Sequence, residues 1–131
     1  MHTINSKSGL IKLARQEGRV QVEINAIPMG KDYCVVINGG EVPHLGAVAI
    51  SQSRASLADP NKLSASTSVF ALVGHKEDEV ARKAAHTLTK NSGKNTVVCC
   101  GIHLPSITAE EIEITNKLVE SMTIDLLELM K

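Results

Sequence analysis

Hydrophobic residues recur with a period of two in the first half of this chain and with helical spacing in the second half. Val20, Val22, Ile24 and Ala26 alternate with polar residues, which is the pattern of a half-buried β-strand. Residues 1–9 are polar, and we expect a flexible N-terminus there. Further strands are predicted over residues 33–37, 47–51, 66–73 and 96–100, with a loop over 53–63 and an ambiguous strand or helical turn over 10–14.

Two helices are predicted in the second half. The first has one apolar face, made of Val80, Ala81, Ala84, Ala85 and Leu88, and Asn91-Ser92-Gly93 supplies its stop signal. The second opens on the capping-box pattern Thr108-Ala109-Glu110-Glu111 and is apolar on more than one side, so we expect it to contact its own sheet and a second subunit. The order predicts an α/β (α+β) fold. A single small domain over 10–131 would place antiparallel hairpin strands before a β-α-β-α unit, with the helices packed on a mixed sheet.

Composition excludes several classes of function. The chain of 131 residues has 14 basic and 14 acidic residues. Because the net charge is zero, it gives no indication of binding to nucleic acid or to an anionic membrane. No apolar run is long enough to span a bilayer, and the N-terminus does not resemble a signal peptide. The three cysteines lie inside apolar runs, which is typical of buried thiols in a reducing compartment. We therefore expect a cytoplasmic protein.

Three histidines follow strand-like runs that end in glycine. They are found in the segments Gly39-Gly40-Glu41-Val42-Pro43-His44, Gly74-His75-Lys76 and Gly101-Ile102-His103. The final β-α-β segment should be a right-handed crossover between parallel strands, which end at a common edge of the sheet. Strand 33–37 would bring Gly39, Gly40 and His44 to the same edge if it runs in the same direction. Open α/β sheets bind ligands at that edge, and helix N-termini there favour phosphate. The pattern predicts a pocket for an anionic ligand, with glycines that let the ligand approach the backbone.

The residues alone leave several kinds of site open. His44, His75 and His103 could hold zinc, iron or copper, although none of the short His-x-His spacings that bring ligands together is present. Ser64 and Ser66 could face the same pocket, but no carboxylate is obviously placed to orient a histidine. Lys76 or Arg54 could pair with a bound phosphate. The acidic residues next to Lys76 interact favourably with the helix dipole and need no further role.

Three segments together resemble the LpdD-like prenylated flavin chaperones, a family of small accessory proteins associated with UbiD-type decarboxylases. They are GGEVPHLGAVAIS, SASTSVFALVGHKEDEVARKAAHTL and VVCCGIHLPSITAEEIE, and the resemblance extends from about residue 10 onward. The family is similar in architecture to proteasome-assembly chaperones and commonly forms homodimers. The resemblance implies that the protein holds prenylated FMN and supplies it to a decarboxylase without performing decarboxylation itself.

The repeated motifs of that family fall on a defined set of positions in this chain. They are Gly39, Gly40, Pro43, His44, Ser64, Ser66, Gly74, His75, Lys76 and His103. We interpret all of them except Pro43 as cofactor-binding residues. Because the chain has one Phe, one Tyr and no Trp, aliphatic side chains such as Val42, Leu45 and Ile102 would have to pack on the flavin ring. Two alternatives remain: a small metal-dependent enzyme that uses the three histidines on an anionic substrate, and a protein–protein interaction module.

Overall fold

The computed structural model describes residues 2–5, 7–72 and 77–131. Within these ranges, seven strands form one mixed sheet, and two helices pack against it. The elements are β1 His2–Ile4, β2 Ile11–Glu17, β3 Val20–Met29, β4 Asp32–Gly40, β5 Ala47–Ala55, β6 Leu63–Ala71, α1 Asp78–Ser92, β7 Thr96–His103 and α2 Ala109–Leu129. The strand order across the sheet is β1-β2-β3-β4-β7-β5-β6. The predicted fold class, an α+β domain with antiparallel hairpins followed by β-α-β-α, is confirmed.

The strand directions bring three carboxyl ends to one edge of the sheet. β4 and β7 are parallel neighbours, with Gly40 opposite His103. β6 and β7 are both antiparallel to β5, so they run in the same direction, but β5 lies between them. The prediction that β6 and β7 are parallel is therefore correct. The two strands are not neighbours in the sheet, however. We call the edge where β4, β6 and β7 end the carboxyl edge.

Both helices cover the same face of the sheet, and the hydrophobic core lies between them and that face. Alternate strand residues such as Val22, Ile24, Val35 and Val98 are fully buried there. α1 contributes Ala81, Ala84, Ala85 and Leu88, and α2 contributes Val119, Met122 and Leu126. The small residues of α1 let its backbone approach β5, β6 and β7 closely. The opposite face of the sheet has no helix on it among the described residues, and it exposes Ile50 and Phe70.

The local signals at the ends of the helices act as predicted. Thr108 accepts a hydrogen bond from the Glu111 backbone N–H (3.1 Å), and the Glu111 carboxylate accepts one from the Thr108 N–H (3.0 Å). α1 ends at Gly93 with a left-handed φ of 75°. The long loop is shorter than expected, since β5 continues to Ala55 and β6 starts at Leu63.

The N-terminal segment, which was predicted to be flexible, contains a short strand. Residues 2–4 form β1, which pairs antiparallel with β2, and the ambiguous stretch at 10–14 lies in β2. All three residues of β1 are exposed, so backbone hydrogen bonds to β2 rather than buried side chains hold it in place. Among the described residues, no helix is long and apolar enough to cross a membrane.

Candidate functional site

The loop between β4 and β5 lies directly across the end of β7. The Glu41 N–H donates to the His103 carbonyl (2.9 Å), and the Gly46 N–H donates to the Cys100 carbonyl (2.9 Å). A Cβ on Gly40, which has a φ of +76°, would lie 2.0 Å from the His103 carbonyl oxygen. A Cβ on Gly101 would lie 1.3 Å from the carbonyl oxygen of His44. These glycines are therefore required for the loop to pack on β7, and the space beside them holds backbone rather than a ligand.

This packing brings His44 and His103 together at the carboxyl edge. Their ring centroids are 5.7 Å apart in an edge-to-face arrangement, with an interplanar angle of 75°. His44 Nε2 lies 3.1 Å from Glu77 Oε1, just before α1 begins. Both partners of that pair are largely buried, with side-chain exposures of 21% and 13%. Glu77 thus orients the His44 imidazole and holds it beside His103.

A cavity of about 300 Å³ opens beside His44 on the face of the sheet without helices. Its lining includes Asn38, Pro43, His44, Leu45, Cys99 and Gly101. Leu45 and the neighbouring Val42 are about half exposed, at 51% and 54%. Ligand pockets of this kind combine apolar walls with a few polar groups that fix orientation. The lining combines both kinds of group, so this cavity can accept a partly apolar ligand with hydrogen-bonding groups.

The helix N-termini, in contrast, do not fit the predicted phosphate site. At α2 the Thr108 side chain already accepts the Glu111 N–H, and Glu110 and Glu111 lie in the first turn. α1 begins with Asp78 and Glu79 next to Glu77. Carboxylates at these positions complement the helix dipole and repel a phosphate. The described residues at these two helix starts therefore supply no cation for a phosphate, and Lys76, just before α1, lies outside the described residues.

Arg19, in the turn between β2 and β3, lies at this edge but is already bound to two carboxylates. Its Nε donates to Glu111 Oε2 (2.7 Å), and its Nη1 lies 3.5 Å from Glu41 Oε1. Its Nη2 also donates to the carbonyl oxygen of Pro105 (2.8 Å). Hydrogen bonds from Arg19 and from the Thr108 backbone lower the pKa of Glu111 to about 2. Arg19 therefore joins the glycine-containing loop to the start of α2 and stabilises the rim of the site.

Ser64 and Ser66 are not near the histidines. β6 starts with them at the end of the sheet opposite the carboxyl edge, where Ser64 pairs with Arg54. Arg54 Nε donates to Ser66 Oγ (2.7 Å), and Arg54 belongs to β5 rather than to a loop. Within one protomer, these serines therefore do not face the same pocket as the histidines, which corrects the expectation from the sequence. The direction of β6 is the reason, because only its last residues reach the carboxyl edge.

Gly74, His75 and Lys76 lie outside the described residues, so their roles as cofactor-binding residues stay predictions. The three-histidine metal site depends on His75 and stays a prediction for the same reason. Within residues 2–5, 7–72 and 77–131, no group of three or more His, Cys, Asp or Glu side chains is arranged to hold a metal ion. His44 and His103 alone would supply two neighbouring imidazoles.

Sequence reasoning missed Glu77, which it assigned only to the helix dipole while finding no carboxylate placed to orient a histidine. The signal was its position, immediately after the predicted strand end at Gly74-His75 and at the start of a helix on the carboxyl edge. Of the three cysteines predicted to be buried thiols, Cys100 is buried, whereas Cys34 and Cys99 are partly exposed. Burial is the main cause that raises the pKa of Cys100 to about 12, with Glu77 and Cys99 adding to it.

A second groove, of about 420 Å³, lies between α1 and α2. Lys83, Thr87, Asn116 and Ile124 are among the residues that line it. None of the described residues predicted to bind a cofactor lines it, and neither His44 nor His103 belongs to its lining.

Comparisons with known proteins agree with this fold. The family model of the prenylated flavin chaperone LpdD-like domain matches residues 16–131. Among solved structures, the chain is similar to one described as "Crystal Structure of a Novel Chaperone Complex for Yeast 20S Proteasome Assembly", with a TM-score of 0.56 and 16% identity over 91% of this chain and 95% of that chain. No curated protein matches significantly. At that identity the structural likeness shows the fold alone, whereas the family match covers most of the chain. The chain therefore belongs to the prenylated flavin chaperone LpdD-like family.

Proposed function

We propose that this protein binds prenylated FMN at the carboxyl edge and delivers it to a UbiD-type decarboxylase. The family match supports the prenylated flavin as the ligand. The observation that carries the choice of site is the His44–Glu77 pair (3.1 Å) beside His103, next to the cavity. Prenylated FMN supplies the decarboxylation chemistry once it is in the decarboxylase. Here the protein needs only to hold it and release it.

Different residues at the carboxyl edge would contact different parts of the ligand. Imidazoles donate or accept hydrogen bonds and can stack on a flat ring, so His44 and His103 would contact the ring edge or face. Leu45 and Val42 would cover the apolar part, including the added prenyl group, since both expose about half of their surface beside the cavity. Glu77 would keep His44 in one orientation, so that less freedom is lost when the ligand binds.

Anaerobic titration of prenylated FMN, followed by flavin absorbance, tests the site. We expect His44→Ala and His103→Ala each to weaken binding at least about tenfold, the equivalent of about 1.4 kcal/mol. His2→Ala is the matched control, because His2 is exposed on β1 at the far side of the sheet. Equal affinity in all three variants would exclude the carboxyl edge as the binding site.

Delivery is tested separately with an apo-decarboxylase of the UbiD type. The proposal predicts that cofactor presented on this protein activates the apo-enzyme faster than the same concentration of free prenylated FMN. His103→Ala should remove that advantage, and His2→Ala should keep it. Equal activation by free and protein-bound cofactor would show that the protein stores prenylated FMN without delivering it.

A further inference from the structure

β6 is an unusually unprotected edge strand. It forms one border of the sheet, and no strand of the described residues pairs with its outer side. Its nine residues, LSASTSVFA, include no charged residue and no proline, which are the usual devices that block pairing at a sheet edge. Its last part is apolar and exposed, with Phe70 at 71% and the following Leu72 at 38%. The opposite border, β1, is only three residues long.

The sequence of β6 is complementary to itself around its central residue, Thr67. In an antiparallel pair of two copies with full overlap, Thr67 would face Thr67 of the partner, and Ser66 would face the partner's Ser68. Ala65 would face the partner's Val69, and Ser64 the partner's Phe70. Thr–Thr and Ser–Ser pairs across strands are favourable, and no like charges meet. A two-fold axis pairs a strand with itself in this antiparallel way.

We propose that two copies of this chain pair through β6, so that each cofactor site receives cations from the partner subunit. The antiparallel pairing turns the start of the partner's β6 towards the carboxyl edge of the first copy. In this register Lys62 of the partner subunit lies opposite Leu72, and Arg54 of the partner subunit follows on the next strand. Leu72 is part of the site's frame, since its N–H donates to the Gly46 carbonyl (2.9 Å).

This inference rests on the proposed function for the identity of the ligand, but it answers a question that the protomer leaves open. Among the described residues, the carboxylates at the starts of α1 and α2 repel a phosphate, and Arg19 is engaged with Glu111 and Glu41. Lys76, the other predicted phosphate partner, lies outside them. The partner's β6 lies three strand spacings from β7, about 14 Å. A ligand with its ring at His44 and His103 would therefore extend its phosphate towards Lys62 of the partner subunit, whereas Arg54 of the partner subunit lies one strand spacing farther, about 19 Å from β7. The cations of the site would then come from two chains.

A charge-swap pair tests the strand pairing without any ligand. Ser66→Lys/Ser68→Lys places like charges opposite each other twice across the two-fold axis, because each position faces the other one in the partner. Ser66→Lys/Ser68→Glu places opposite charges at the same two contacts. Both variants change the same two exposed residues and lose the same Arg54 contact. We expect sedimentation velocity to show a dimer for the wild type, at least about tenfold weaker association for the first variant, and a restored dimer for the second.

Three results would overturn the pairing. They are a monomeric wild-type protein, a Ser66→Lys/Ser68→Lys variant that dimerises like the wild type, and a Ser66→Lys/Ser68→Glu variant that remains as weak as the first. The last two would move the dimer interface to another surface, such as the sheet face without helices. Circular dichroism of both variants excludes loss of the fold as the cause.

Mixed dimers test whether the site is shared. His103→Ala and Arg54→Ala/Lys62→Ala should each bind prenylated FMN more weakly than the wild type. If they are mixed and allowed to exchange subunits, half of the dimers contain one chain of each kind and one intact site, so about a quarter of the sites should recover. Absence of recovery, or unchanged binding by Arg54→Ala/Lys62→Ala, would contradict the shared site. If the wild type binds no flavin, the proposed function fails, whereas the sedimentation result still decides the β6 pairing.

Discussion

Gly101→Ala is predicted to displace the loop that carries His44. A Cβ at residue 101 would lie 1.3 Å from the His44 carbonyl oxygen and 2.3 Å from its carbon, whereas ordinary contact begins at about 3.4 Å. The loop would have to move by about 2 Å, which is enough to separate His44 from Glu77, now 3.1 Å away. Overpacking of this kind costs about 1–3 kcal/mol. With an unfolding entropy of about 2.1 cal/mol/K per residue, the expected decrease in Tm is about 4–11 °C.

The assay compares Tm by calorimetry with the affinity for prenylated FMN. Gly30→Ala is the matched control, because nothing lies within 4 Å of its Cβ and its positive φ of 63° gives a cost of about 1–2 kcal/mol far from the histidines. We expect both variants to lose stability and only Gly101→Ala to lose flavin affinity, by at least about tenfold. A Gly101→Ala protein with wild-type Tm and wild-type affinity would refute the reasoning.

Three further outcomes follow from the same structure. The stability contributed by Glu111 is present above its ordinary pKa of 4.5 and is lost as the pH falls towards its folded-state value of about 2, so the difference in urea midpoint between wild type and Glu111→Gln should shrink over that range. Leu126→Glu places a carboxylate at a fully buried position and should cost about 3–5 kcal/mol in urea unfolding; a stable variant would remove Leu126 from the core. Cys100, with its pKa raised to about 12, should resist alkylation at pH 8 until urea unfolds the protein, and rapid alkylation of the folded protein would contradict its burial.

Elements with local signals could be predicted from the sequence. The alternation of apolar and polar residues in β3 and the capping box at Thr108 both depend on residues that are close together in the sequence. The common carboxyl edge of β6 and β7 could also be predicted, because the carboxyl ends of parallel strands meet. Whether β4 also brings His44 to that edge depends on the direction of β4, which the sequence left open.

The remaining features depend on contacts between residues far apart in the chain. β5 lies between β7 and β6, and this order depends on which strands pair with one another. The period-two pattern identifies each strand but does not indicate its neighbours. The direction of β6 puts Ser64 and Ser66 at the wrong end for a site within one protomer. The Glu77–His44 contact depends on the path of the loop over Gly101, which only the packed structure fixes.

Anaerobic native mass spectrometry of the wild-type protein with FMN or prenylated FMN would decide between the proposed functions, because it counts subunits, flavin and metal in one experiment. We predict a dimer that selectively retains prenylated FMN at one molecule per subunit. A protein that retains neither flavin but holds stoichiometric metal would contradict it and favour a metal-dependent enzyme using the histidines. Retention of no flavin and no metal would favour a protein–protein interaction module.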